Sequence, residues 1–187
     1  SVAVIRDGKL DWTAAWGVLE SSGAKADCSS LFQGGSLAKP ATLVAVLRMK
    51  QAGAIGFDDD IETLLTDYRL PAGQQSAENP VTLRNLFRHT SGITPGGYQG
   101  YSPESALPTT TQILRGQAPA NAPAIAVVAK PNEHLAYSGG GYTLIEAALQ
   151  DRFKRPFEQL MQEWLIGPFG MRQASFVQPM PNANRNH

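Results

Sequence analysis

Disulfide, metal and nucleic-acid chemistry all find little to work with in this 187-residue chain. Cysteine occurs once, as Cys28, so no internal disulfide can form and the redox compartment stays open. The three histidines, His89, His134 and His187, are scattered with no cysteine or carboxylate at ligand spacing, and no metal site is legible. Sixteen Lys and Arg offset sixteen Asp and Glu without any long run of one sign, which argues against a nucleic-acid or anionic-membrane partner. The longest apolar stretches, residues 124–129 and 43–47, are far too short to span a bilayer. No internal repeat or low-complexity tract is present. The chain opens on Ser1 inside a strand-like stretch with neither methionine nor signal peptide, which reads as a trimmed or processed start. With 42% of its residues hydrophobic, it can still bury a sizeable core, as one domain or as part of a larger one.

What is there begins with Ser36-Leu37-Ala38-Lys39, placed after Gly34-Gly35 and at the mouth of an apolar helix. Residues at i and i+3 share a helix face, so the Lys39 ammonium can reach the Ser36 hydroxyl. A serine hydroxyl is a weak nucleophile until a neighbouring base takes its proton. Lysine serves as that base only where burial or a nearby cation lowers its pKa. Leu43, Val46, Leu47 and Lys50 fall at helical spacing, and Gly53 supplies a stop, so a helix over 37–53 is expected. Pro40 costs little in its first turn. Ser36 would then face the positive end of the helix dipole.

Along the chain, Ser1 to Arg6 and Lys9 to Val18 read as a hairpin around Asp7-Gly8, with Leu10, Trp12, Ala14 and Trp16 on one face. Ser21 to Ser30 is a loop. Asp58-Asp59-Asp60 opens a short helix through about Leu65 and reads as capping and solvation rather than metal ligation. Thr82 caps a helix over 82–90 that ends at Gly92. Gly96 to Thr110 is a long ordered loop whose Tyr98 and Tyr101 are either a substrate-pocket wall or plain surface. Residues 124–129 form a strand or extended passage; helices follow over 142–151 and 156–165, then a turn at Gly167 to Met171 and a short strand over 174–177. His89 and Ser91 suggest a rival base and nucleophile. Positions i and i+2 do not face each other, so that segment reads as a helix stop capped by Gly92.

Tyr137-Ser138-Gly139-Gly140-Gly141-Tyr142 sets a phenol before three glycines and a helix. Glycine lets backbone approach a ligand closely, and a phenol beside a cation can shuttle protons; taken alone, however, Tyr137 reads as a half-buried packing aromatic rather than a proton shuttle.

In order and spacing, five pieces resemble one family along nearly the whole chain. They are Phe32 to Pro40, Gly56 to Ile61, Val81 to Ile93, Tyr137 to Tyr142, and Gly167 to Met171. The family is that of serine β-lactamase-like and penicillin-binding-protein-like hydrolases, which takes in class C β-lactamases, D-alanyl-peptidases and related esterases. The resemblance implies an α/β (α+β) fold: a mixed antiparallel sheet flanked by helices, a mostly helical lobe, and a site in the cleft between. It implies Ser36 as nucleophile, Lys39 as partner base, and Tyr137 as the first residue of the family's Y-x-N element. The expected reaction is acyl transfer to Ser36 from an ester, a β-lactam or a D-amino-acid amide, followed by hydrolysis, with no metal or organic cofactor. Which of Lys39 and Tyr137 takes the first proton stays open.

This sequence departs from the family twice. Gly139 stands where Y-x-N has asparagine, which shifts the expectation towards an esterase, and Gly139, Tyr98 and Tyr101 are the substrate-contact candidates. The family's late-strand motif, Lys or His two before glycine, does not occur after Tyr142. Residues 1–187 are therefore expected to be a single domain of this type that stops before its C-terminal strands, unless a second chain provides them. The alternatives are a penicillin-binding or sensing module that acylates without turnover, or an inert fragment. Family resemblance favours a periplasmic or secreted location.

Overall fold

The computed structural model describes residues 1–19, 23–102 and 104–179. The start of the expected 21–30 loop and the tail from 180 onward lie outside them. Asp7 and Gly8 both take positive φ, 49° and 73°, the geometry a two-residue hairpin turn requires. They join β1 (Val2–Arg6) to β2 (Lys9–Ala14) as an antiparallel pair with a register shift between Val4 and Ile5. The returning strand thus ends four residues short of the expected Val18, which makes only an isolated bridge to Lys25. No described residue before Thr42 is buried.

A tight turn over Gly35–Leu37 leads into α1 (Ala38–Gln51). That helix stops as expected: Gly53 takes φ +73°, its N–H reaches the Lys50 carbonyl, and the Ala54 N–H reaches that of Met49. Thr42, Ala45, Val46 and Met49 form its buried stripe. Asp60 caps only a single turn, Ile61–Thr63, so the helix expected through Leu65 is shorter than the sequence suggests.

Reciprocal capping sets α2 (Leu83–Phe87): the Thr82 N–H donates to Asn85 Oδ1 at 2.9 Å, and the Asn85 N–H donates to Thr82 Oγ1. A second such box, Thr109 with Gln112, opens α3 (Thr110–Arg115), closed by Gly116 at φ +58°. This helix is absent from the sequence reading, although the T-x-x-Q spacing and the glycine stop are there to signal it.

The extended passage at 124–129 condenses to β4 (Ala126–Val127), paired antiparallel with β3 (Ile93–Thr94). Helix α4 (Gly139–Phe153) starts three residues earlier than the sequence suggests, because the Ser138 hydroxyl accepts from the Gly141 N–H at 2.8 Å. Helix α5 (Phe157–Met161) continues as a π-helical turn, Gln162–Ile166. Residues 174–177 form no strand.

The core lies among these helices. Met49, Ile61, Leu86, Leu144, Ile145, Leu149 and Leu160 are fully enclosed, and Ile93 and Val127 join the same core from the small sheet, with Ile125 just before β4. The described sheets are two antiparallel pairs, consistent with the expected mixed α/β class and a mostly helical lobe.

Candidate active site

Three side chains singled out in the sequence converge at the head of α1. Gly35 enters the turn at φ +50°, a left-handed conformation that glycine adopts without strain, and Ser36 follows it. Lys39 sits one turn on, with Nζ 3.4 Å from Ser36 Oγ. Tyr137 arrives from 101 residues away, and its hydroxyl lies 2.7 Å from Ser36 Oγ. The Lys39 ammonium also lies 5.0 Å from the Tyr137 ring centre and 5.2 Å from that of Tyr142. Aromatic faces attract a cation at this range.

The position of Tyr137 is fixed by backbone. The Ala136 N–H donates to the His89 carbonyl at 2.8 Å, and the Gly139 N–H to the Gly96 carbonyl at 2.7 Å. The Gly140 N–H donates to the Pro95 carbonyl at 3.0 Å. Residues 136–140 are thereby held along the chain from His89 to Gly96. The three glycines serve that close approach: a Cβ on Gly140 would stand 2.8 Å from the Thr94 carbonyl oxygen. Gly139 is buried, and a Cβ there would meet the Gly96 carbonyl at 3.1 Å and the Tyr98 ring at 3.3 Å. Its immediate neighbours are therefore the Gly96–Tyr98 backbone and ring. Tyr98 takes a hydrogen bond from Thr143 Oγ1 at 3.1 Å, so it is anchored to α4 beside Gly139. Tyr101 is tied elsewhere, accepting from the Asn121 N–H at 3.1 Å.

The electrostatics single out the phenol. Its hydrogen bond with Ser36, then the Lys39 ammonium, holds the Tyr137 hydroxyl below the usual tyrosine range. A phenolate there would be stabilised by a donor and a cation together.

His89 has a part that the sequence does not reveal. The expected helix stop at Gly92 lies three residues earlier, at His89 itself, with φ +56°. Its N–H bonds the Leu86 carbonyl and the Thr90 N–H bonds that of Asn85, so His89 holds the left-handed closing position usually given to glycine. Gly92 instead permits a close approach of two backbones, since a Cβ there would collide with the Ala129 carbonyl oxygen. Ser91 is 1% exposed, and its hydroxyl accepts from the Ile93 N–H, so the rival nucleophile is sealed in the core. The His89 ring lies 4.4 Å from that of Tyr137, and Nδ1 accepts the Ser138 N–H at 3.1 Å. Its φ is the telling feature, and no residue pattern announces it.

A hydroxyl, an ammonium and a phenol gathered at a helix head form a constellation suited to acyl transfer through serine. The chain belongs to the Beta-lactamase family, a family of serine hydrolases and penicillin-binding proteins, whose profile matches residues 1–187. It is 28% identical over 155 residues to the D-alanyl-D-alanine-carboxypeptidase/endopeptidase AmpH of Escherichia coli, covering 80% of this chain and 37% of that protein. Among solved structures, FmtA from Staphylococcus aureus superposes with a TM-score of 0.72 at 17% identity, covering 96% of this chain and 47% of that one. EstCE1, described as a hydrolase with promiscuous acyltransferase activity, superposes at 0.65 with 22% identity, covering 89% and 45%. These likenesses place the fold in the β-lactamase/transpeptidase class. The chain spans about a third of the length of the curated relatives it matches, 37% in the case of AmpH.

Proposed function

We propose that this chain carries the acylating centre of a serine hydrolase, with Ser36 as nucleophile, Tyr137 as its proton acceptor and Lys39 as the cation that keeps the phenol acidic. The observation that carries it is the pair of contacts on one oxygen, Tyr137 at 2.7 Å and Lys39 at 3.4 Å from Ser36 Oγ. The Ser36 proton passes to the Tyr137 phenolate as Oγ bonds the substrate carbonyl carbon. The tetrahedral oxyanion is met by the Ser36 N–H, near the start of α1 where backbone donors lack intrahelical acceptors. Its collapse expels the leaving group, which takes the proton back from Tyr137, and water then hydrolyses the acyl-serine by the reverse relay.

An ester is the favoured substrate class. With glycine at 139 and the Tyr98 ring packed against that position, no side-chain amide is offered there to a substrate amide. Tyr98 is the candidate wall residue, while the Asn121 contact of Tyr101 makes it a brace for the same loop. A β-lactam or D-amino-acid amide, the chemistry that AmpH's name describes, is the alternative.

The partner reading has its own support. Val44 and Leu47 lie exposed on α1 opposite its buried stripe, with Leu37 exposed in the turn just before it, and a helix apolar on two sides suits a place inside a larger assembly. The hairpin likewise exposes large apolar side chains, Ile5, Leu10 and Trp12 between 47% and 71% accessible, and Trp16 just beyond it is 68% exposed. Further strands, from the same polypeptide or another, fit against them.

The test is hydrolysis of a nitrophenyl ester beside covalent labelling by a fluorescent penicillin. Sustained ester turnover supports the hydrolase, whereas stoichiometric labelling without turnover supports a sensing module. Lys39→Ala is expected to slow acylation by about 10²–10⁴-fold. Wild-type rates in that variant would remove Lys39 from the mechanism.

A further inference from the structure

We propose that His89 is a positioning residue whose neutral imidazole seats Tyr137 against Ser36, and whose protonation unseats it. Three contacts converge on this one residue. Its ring lies 4.4 Å from the Tyr137 ring at an interplanar angle of 33°, so it backs the phenol on the face it covers. Its Nδ1 accepts the Ser138 N–H at 3.1 Å, which fixes the backbone immediately after Tyr137. Its carbonyl accepts the Ala136 N–H at 2.8 Å, which fixes the backbone immediately before. Tyr137 is thus held on both sides of its own residue by one histidine.

The backbone conformation adds weight. His89 takes φ +56° at a helix-closing position where glycine or asparagine is the unstrained choice. An imidazole kept in a left-handed conformation points to a demand on the side chain.

The proton inventory follows from the acceptor role. For Nδ1 to accept, the ring must be neutral with its hydrogen on Nε2. A proton added to Nδ1 sets N–H against the Ser138 N–H, and that bond is lost. The groups facing the ring are Tyr137, Tyr142 at 5.5 Å from α4, and Lys39 from α1, whose ammonium opposes a second positive charge. Burial and then Lys39 accordingly hold the imidazole below its ordinary range.

This inference rests on the reading of Ser36 as nucleophile, so its first readout needs no catalysis. In isotope-labelled chain, the Tyr137 ring carbons and the Ser138 amide are followed by NMR as the His89 imidazole titrates. They are expected to shift together with the imidazole midpoint, and the step is expected to vanish in His89→Asn. Asparagine keeps an acceptor and tolerates the left-handed backbone, but does not titrate. The second readout is the pH profile of Ser36 acylation by a nitrophenyl ester. The wild-type rate should fall more steeply below that midpoint, and His89→Asn should remove the extra steepening while leaving the rate near pH 8 within about tenfold. Tyr137 and Ser138 signals that ignore the imidazole titration would overturn the proposal, as would an acid limb unchanged in His89→Asn. Should the NMR step appear in a wild-type chain that never acylates, the assignment of Ser36 fails and the seat stands.

Discussion

The helical lobe and the N-terminal segment solve opposite problems. From Thr42 onward the chain encloses its own core, with Met49, Leu86, Leu144 and Leu149 at 0% exposure. Before Thr42 nothing described is buried, and Trp16 is 68% exposed. Ser36 lies on the exposed side of that boundary, while both groups that contact its hydroxyl are held by the lobe: Lys39 through α1, Tyr137 through the backbone running from His89 to Gly96. The lobe therefore brings the three side chains together, and the exposed side is where the proposed substrate would approach.

That contrast can be broken by substitution. The largest effect is expected in the lobe: Leu149→Ala should cost about 2–5 kcal/mol of unfolding free energy, read by denaturant titration. A loss under about 1 kcal/mol would mean that the helices are not a tight core. Next, Thr82→Ala removes one half of the box that starts α2 and should cost about 0.5–2 kcal/mol. Trp12→Ala on the hairpin should change stability by no more than about 0.5 kcal/mol. A large loss there would show the hairpin packed by something already present.

The smallest expected effect is that of acid. His89 has its folded pKa lowered, so the unfolded chain binds the proton first as pH falls. Its contribution is intact above about pH 6.5, the unfolded value, and declines as pH drops towards the folded one. Thermal melts of wild type and His89→Asn across pH 5 to 8 should diverge in that direction only.

What the sequence discloses follows from how local each signal is. The hairpin turn needs only Asp7-Gly8, and the end of α1 only Gly53. Ser36 and Lys39 share a helix face, so their meeting is legible from spacing. Tyr137 joins them across 101 residues, and the sequence reaches it through family likeness alone. Elements defined by distant partners differ in extent from their sequence signals: β4 is two residues long, the length over which it pairs with β3. The glycines at 139–141 suggest room for a ligand, yet they are occupied by the backbone of residues 94–97 and the Leu86 side chain. His89 reads in sequence as part of a helix stop, and only its φ and its contact with Ser138 disclose more.

The most direct trial of the Ser36 assignment is intact-mass analysis of the chain after exposure to an activated ester, followed by peptide mapping. One acyl group on Ser36 in the wild type, absent from a Ser36→Ala variant that melts at the same temperature, is the expected result. Equal labelling of that variant, or an adduct mapped only to another residue, would contradict it.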